Sequence, residues 1–207
     1  MSQFIESIRI QHQQPHLLDL HQQRVNSTLE HFNAVTSLNL EQIVRNLNWD
    51  TNGLFKLRII YDLEGNYETQ ITPYIFNKIE SFKTVEDNVI DYEFKYENRS
   101  EFDTLKKENA PSEIVIVKNG MVTDTSFSNL VFLKDTIWYT PKTYLLNGIQ
   151  RQYLLKEKLI QEIEIDESSL QNFSHFRLIN AMNPLDQAFT YPIEKLLKSQ
   201  PSDEFYL

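Results

Sequence analysis

The stretch Glu113–Gln152, EIVIVKNGMVTDTSFSNLVFLKDTIWYTPKTYLLNGIQRQ, decides how the rest of the chain is read. Two apolar runs, Ile114–Val117 and Met121–Val122, flank Asn119-Gly120, the dipeptide that best accepts the positive φ angles of a tight hairpin turn. A second pair of runs, Leu130–Leu133 and Thr136–Tyr139, meets at Lys134-Asp135, so the spacing predicts a four-strand antiparallel meander. Asn147-Gly148-Ile149-Gln150 then opens a run with helical spacing (Ile149, Tyr153, Leu154, Lys158), predicted to continue to Ile163. A glycine turn feeding a helix N-terminus presents free backbone N–H groups and the positive end of the macrodipole, which favours an anion such as phosphate.

Outward on the C-terminal side, Phe176–Asn180 reads as a last apolar strand, Ile193–Lys198 as a short helix and the tail from Gln200 as loose chain. On the N-terminal side, Tyr92–Arg99 leads into a polar helix over Ser100–Glu108. The polar run Lys83–Asn88 is the candidate linker. Before it, Leu54–Tyr61 and Tyr67–Ile71 form a hairpin around the turn Leu63-Glu64-Gly65-Asn66. Two helices precede that hairpin. One carries Leu17, Leu20, Arg24, Val25, Leu29 and Phe32 at three- and four-residue spacing, with Asp19 and Gln22 as a capping pair. The other carries Leu40, Ile43, Val44 and Leu47 behind an Asn39 cap and ends at Asn52-Gly53. Ser7-Ile8-Arg9-Ile10 alternates as a short opening strand, and Gln13-Gln14-Pro15 breaks it. The expected class is α+β: a small two-layer α/β domain over residues 1–84, then a larger, mainly antiparallel, barrel-like β domain with flanking helices over 85–207.

Composition narrows the function. The 207 residues are 41% hydrophobic, and no apolar run approaches the length needed to span a bilayer. The start, MSQFIESIRI, lacks the basic-then-apolar layout of a signal peptide, so a soluble cytoplasmic protein is expected. Without cysteine there are no disulfides and no thiolate metal sites, and no metal is expected. A formal charge of −9 argues against nucleic-acid or anionic-membrane partners, which call for clustered Lys and Arg.

These blocks resemble the class IV, or fold-type IV, pyridoxal-phosphate enzymes: branched-chain and D-amino-acid aminotransferases and aminodeoxychorismate lyases. The family pattern runs V-T-E-x-x-x-x-N-h-F, a hairpin, Y-T-P, then h-x-G-I-[TM]-R. Val122-Thr123-Asp124, Ser128-Asn129-Leu130-Val131-Phe132, Tyr139-Thr140-Pro141 and Gly148-Ile149-Gln150-Arg151 stand in that order at those separations. Upstream, Glu6-Ser7-Ile8-Arg9 matches the opening strand E-[ST]-h-R, and His21-Gln22-Gln23-Arg24 matches a helical H-x-x-R. Lys95, Asn98 and Arg99 match K-x-x-N-R, a form typical of the lyases, and Asn180-Ala181-Met182-Asn183-Pro184-Leu185 is similar to the lyase block N-A-L-x-P-h. Asp124 stands where the family usually has glutamate, and Gln150 where it has threonine or methionine.

The resemblance implies pyridoxal 5′-phosphate as cofactor and Lys95 as the catalytic residue that carries it, since an amine is needed to condense with the cofactor aldehyde and then move protons at the substrate. It implies a cofactor site of Arg24, Lys95, Asn98, Asp124, Ser128, Asn129, Gly148, Ile149, Gln150 and Asn180. In it the Arg24 fork and the Gly148 turn take the phosphate, and Asp124 keeps the pyridine nitrogen protonated. The family usually has a further segment before the opening strand, so a shortened member is expected. The implied substrate is a small-molecule amine and the implied assembly a homodimer. The leading activity is release of pyruvate from aminodeoxychorismate, with amino-acid transamination as runner-up. A non-catalytic relative that binds a phosphorylated ligand or a partner subunit is the reading from another class.

Overall fold

The computed structural model describes residues 2–48 and 53–197. In chain order the elements are β1 (Gln3–Gln11), β2 (Gln14–Pro15), α1 (Leu18–His31), α2 (Leu40–Arg45), β3 (Leu54–Asp62), β4 (Tyr67–Pro73), β5 (Phe82–Glu86), α3 (Ser100–Glu108), β6 (Glu113–Lys118), β7 (Met121–Thr125), β8 (Asn129–Lys134), β9 (Ile137–Pro141), α4 (Ile149–Lys156), β10 (Gln161–Ile163), β11 (His175–Ile179) and β12 (Thr190–Pro192). Short 3₁₀ turns follow β10 and β12, at Glu167–Asn172 and Ile193–Lys195.

The first sheet has the order β2-β1-β3-β4, antiparallel throughout. Strand alternation divides its residues between two faces. Phe4, Ile8 and Ile10 with Leu57, Ile59 and Tyr61 pack against Val25 and Leu29 of α1 and Leu40, Ile43 and Val44 of α2. The other face, carrying Ser7, Lys56, Arg58, Gln70 and Thr72, has no helix on it and becomes one wall of a cavity. The His12-Gln13 turn between β1 and β2 holds both residues at positive φ (50° and 63°) without a glycine.

The second sheet runs β10-β9-β8-β7-β6-β5, with β11 pairing β8 and β12 pairing β11. The meander β6–β9 forms as predicted, with Asn119 and Gly120 both at positive φ (53° and 76°) in its first turn. Both faces are covered: Val115, Leu130 and Phe132 enter one cluster, Ile114 and Ile116 pack with Phe102 on another, and Val131 packs with Leu154 of α4. That double burial explains the continuous apolar runs of β6 and β8.

Several expectations are corrected. The run Lys83–Asn88 is no linker: β5 occupies most of it and pairs in parallel with β6, from Phe82↔Glu113 to Glu86↔Val117, so the division expected at residue 84 falls inside a strand. Helix α4 ends at Lys156 rather than continuing to Ile163, because Lys158 turns left-handed (φ 57°). Its N–H bonds Leu155 O and that of Leu159 returns to Leu154 O, a Schellman closure, and β10 then pairs in parallel with β9. Asp19 and Gln22 do not cap α1: the cap residue is Leu17, left-handed with no side-chain bond, and Gln22 instead holds Leu38 O and Leu40 N of the following loop. The Asn39 cap is present, accepting from Gln42 N at 2.9 Å. The ends predicted at Asn52, over Lys198 and from Gln200 lie outside the described residues.

Candidate active site

A cavity of about 440 Å³ lies between the bare wall of the first sheet and the meander of the second, within the range usual for small-molecule sites. Eight of the ten sequence-predicted site residues line it: Arg24, Lys95, Asp124, Ser128, Asn129, Gly148, Ile149 and Asn180. Two do not. Asn98 is exposed and accepts from Ser100 N at the start of α3, while Gln150 is buried behind the cavity wall.

Lys95 is placed by the edge of β1. Because β2 covers only Ile10 and Gln11, the rest of that edge is open, and the segment after β5 pairs onto it. Ile5 N donates to Lys95 O at 2.9 Å, Glu97 N to Gln3 O at 2.8 Å, and Tyr96 stacks on Phe4. Part of Lys95 faces the cavity while protein surrounds its amine. Burial first, then the nearby Arg24 and Arg99 guanidinium groups, push the amine down to about 7, with Glu6 and Asp124 opposing. An amine at that value is substantially unprotonated near neutral pH, as a nucleophile or proton acceptor must be.

Asp124 owes its position to an irregularity in the ladder. Val115 pairs with Thr125 but Val117 pairs with Val122, so β7 carries one more residue than β6 between the two pairs, and the bulge falls at Thr123-Asp124. Thr123 Oγ1 donates to Ile116 O across the gap, and the Asp124 side chain turns to the cavity. Its Oδ1 accepts from Asn129 Nδ2 at 2.8 Å, and its Oδ2 from the Leu145 and Leu146 N–H groups at 3.1 and 2.9 Å. A carboxylate has about four lone-pair sites, so one remains. Burial raises the group to about 6 against the pull of these three donors.

Gly148 is the cap residue of α4 at an ordinary φ of −67°, so backbone freedom is not what requires a glycine there. Space is: a Cβ at this position would lie 2.1 Å from Asn129 Oδ1. The Ile149, Gln150 and Arg151 N–H groups of the first turn have no acceptor among the described residues. Arg151 itself points away, held by Asn147, Pro141 O and Glu162. Opposite, Arg24 reaches the cavity from α1 with its Nε and one Nη2 hydrogen on Glu6, leaving three of its five N–H groups without a partner among the described residues. Asn180 closes one side: its Nδ2 donates to Ser128 Oγ at 2.8 Å, and its Oδ1 accepts from Met182 N and Asn183 N.

The family model for class IV amino-transferases matches residues 94–185. An uncharacterized protein of Haemophilus influenzae is 37% identical over 191 residues, which cover 89% of this chain and all of that protein. The chain belongs to the class IV aminotransferase family. Members are pyridoxal-phosphate-dependent enzymes, and so is this chain. Among solved structures, a candidate 4-amino-4-deoxychorismate lyase from Haemophilus somnus superposes with a TM-score of 0.82 at 35% identity, covering 89% of this chain and 98% of that one. The branched-chain amino acid aminotransferase from Escherichia coli, at 15% identity, shares the fold with a TM-score of 0.66 over 94% of this chain and 76% of its own.

Sequence reading missed the wall of the first sheet, where Lys56 and Arg58 on β3 face the cavity beside Gln70 and Thr72 on β4. The signal was present: both alternate with the buried Leu57 and Ile59, placing two cations on the face opposite the core. Arg58 donates to Glu97 at 2.6 Å, while Lys56 has no ion pair among the described residues.

Proposed function

We propose that the chain is a lyase that releases pyruvate from 4-amino-4-deoxychorismate to give 4-aminobenzoate, a step of folate biosynthesis in the cytoplasm, working as a homodimer. The observation that carries the reading is the likeness, at 35% identity over 89% of this chain, to the candidate lyase of Haemophilus somnus, and the Lys56–Arg58 wall agrees with it. Two cations two residues apart on one strand stand about 7 Å apart along it, which suits an anion with two separated carboxylates, as this substrate is.

The residues fit pyridoxal phosphate at three points. The α4 N-terminus and the free face of Arg24 would take the phosphate, the Lys95 amine would carry the aldehyde carbon, and the remaining lone-pair site of Asp124 would take the ring N–H. When bound, the cofactor holds the substrate amine and delocalises the electron pair left by the neighbouring C–H bond. The Lys95 amine would accept the proton from the carbon bearing the substrate amine. The C–O bond to the enolpyruvyl group then breaks, the ring gains its last double bond, and Lys95 returns the proton to the leaving enolate, giving pyruvate. Asp124, ionised above about 6, would keep a proton on the ring nitrogen of the bound cofactor. Lys56 and Arg58 hold the carboxylates so that the breaking bonds stay aligned.

Transamination is the second reading, because the Lys56–Arg58 wall could also hold a dicarboxylic keto acid. The deciding assay supplies aminodeoxychorismate and follows pyruvate and 4-aminobenzoate, beside amino acids with 2-oxoglutarate. Pyruvate release without a second substrate is expected. Amino transfer without pyruvate release overturns the lyase, and neither activity in cofactor-loaded protein points to a binding relative.

A further inference from the structure

We infer that Glu6 is a positioning residue: it fixes the Arg24 guanidinium edge-on beneath the cavity, so that the three remaining N–H groups of that arginine face the phosphate of the cofactor. The inference rests on the reading of Arg24 as a phosphate ligand and gives it a cause. Glu6 lies on the helix-facing side of β1, between Phe4 and Ile8, and is wholly buried beside the apolar cluster of that layer, against the equally buried His21. A lone carboxylate there is expensive, and a hydrophobic residue of similar volume would serve packing as well or better. Its bonds explain the choice. Oε1 accepts from Arg24 Nε at 2.8 Å and Oε2 from Arg24 Nη2 at 2.5 Å, a two-point contact that removes the rotational freedom of a side chain reaching in from α1. Oε2 also meets His21 Nδ1 at 2.5 Å.

His21 completes the device without adding charge. It is buried, and burial, opposed by Glu6, lowers its affinity for a proton, so the imidazole is neutral and donates its one N–H to Glu6. Its Nε2 has no partner among the described residues. Burial would raise Glu6, but the Arg24 guanidinium, with the hydrogen bond from His21, holds it well below the usual carboxylate range, so the fork keeps its ion near neutral pH. The spacing of three between His21 and Arg24 puts both on the face of α1 turned to β1, which is why one carboxylate can serve both.

The test compares apoprotein affinities for pyridoxal 5′-phosphate and for pyridoxal, which lacks the phosphate, in the parent, Arg24→Ala and Glu6→Gln. Glu6→Gln is expected to lose about tenfold for pyridoxal 5′-phosphate and little for pyridoxal, matching the direction of Arg24→Ala. A second readout is the pH profile of Lys95 modification by trinitrobenzenesulfonate in apoprotein. The groups facing Lys95 are Arg24, Glu6, Arg99 and Asp124, and of these Glu6 raises its amine, so Glu6→Gln should move the midpoint below the parent value; a role confined to folding would leave it in place. If Arg24→Ala keeps the parent preference for the phosphorylated compound, the phosphate reading of Arg24 fails. If Arg24→Ala loses that preference and Glu6→Gln keeps it, the inference about Glu6 is overturned and the phosphate reading stands. Should Glu6→Gln not fold, Arg24→Lys serves: it keeps the charge but cannot span both Glu6 oxygens, and parental affinity in it would overturn the inference as well.

Discussion

Replacing Gly148 by alanine adds one carbon, and the structure says where the damage goes. The new Cβ would sit 2.1 Å from Asn129 Oδ1 and 3.2 Å from Asn129 Cγ, so the amide has to turn away. Turning it breaks the bonds of Asn129 Nδ2 to Asp124 Oδ1 (2.8 Å) and to Leu146 O (2.9 Å). A bond to an ionised group contributes about 1.5–3 kcal/mol and a neutral one about 1 kcal/mol, so about 2.5–4 kcal/mol is expected from this pair. The loss of glycine from the cap position adds only about 0.5 kcal/mol. Asp124 would also lose one of the donors that hold it down, and would take up a proton above its present value of about 6. Urea unfolding of the apoprotein reads the first effect, and cofactor titration as a function of pH reads the second. Gly148→Ser separates collision from capping, because serine is the better cap and carries the same Cβ. Parental stability in Gly148→Ala, or its recovery in Gly148→Ser, would refute the reasoning.

Lys95→Ala should fold yet lose the stable adduct that borohydride makes in cofactor-loaded parent protein; an unchanged adduct, seen by mass spectrometry, would move the covalent site elsewhere. Asp124 is raised from 3.8 to about 6, so the folded state binds its proton more tightly than the unfolded chain does, and stability from this group falls as pH rises between those values. The displacement corresponds to about 3 kcal/mol, read as the change with pH in the stability difference between parent and Asp124→Asn; a difference that stays flat from pH 4 to 6 contradicts it. Lys56→Ala should raise KM for a dicarboxylate about tenfold or more with little change in cofactor affinity, checked by steady-state kinetics beside titration. Light scattering should give a dimer mass with cofactor present, and a mass near 24.6 kDa would contradict the assembly.

The meander was legible because its signals are local: Asn119 and Gly120 supply the two positive φ angles that their turn needs, and α3 matches its predicted bounds residue for residue. The blocks that line the cavity were legible for the same reason, each a few residues long and in fixed register. What escaped depends on distant parts of the chain. The end of α4 was hidden because a lysine, not a glycine, takes the left-handed position at 158. Strand β5 is a polar, half-exposed edge strand whose partner β6 lies across α3, so nothing in its own composition announces it. The bulge that aims Asp124 has no marker in Thr123-Asp124-Thr125, and appears only in the register with β6. The cationic wall was passed over because β3 reads as apolar and β-branched, although Lys56 and Arg58 fall on alternate positions.

The attachment of Lys95 to the open edge of β1 has a mechanical consequence. Lys95 and Arg24 travel with the first sheet, while Asp124 and the α4 N-terminus travel with the second. Across that seam run ties from Arg9 to Met182 O and Gln187, and from Tyr74 to Asn183. A ligand bonded to Lys95 and seated on Gly148 would bridge the same seam and act as a rivet. Because it engages only when both halves are folded and docked, it couples their melting, and calorimetry should show a broad or divided transition in apoprotein sharpening into one on loading. Slow loss of cofactor would then set the working lifetime of the protein on heating, ahead of the intrinsic stability of either half.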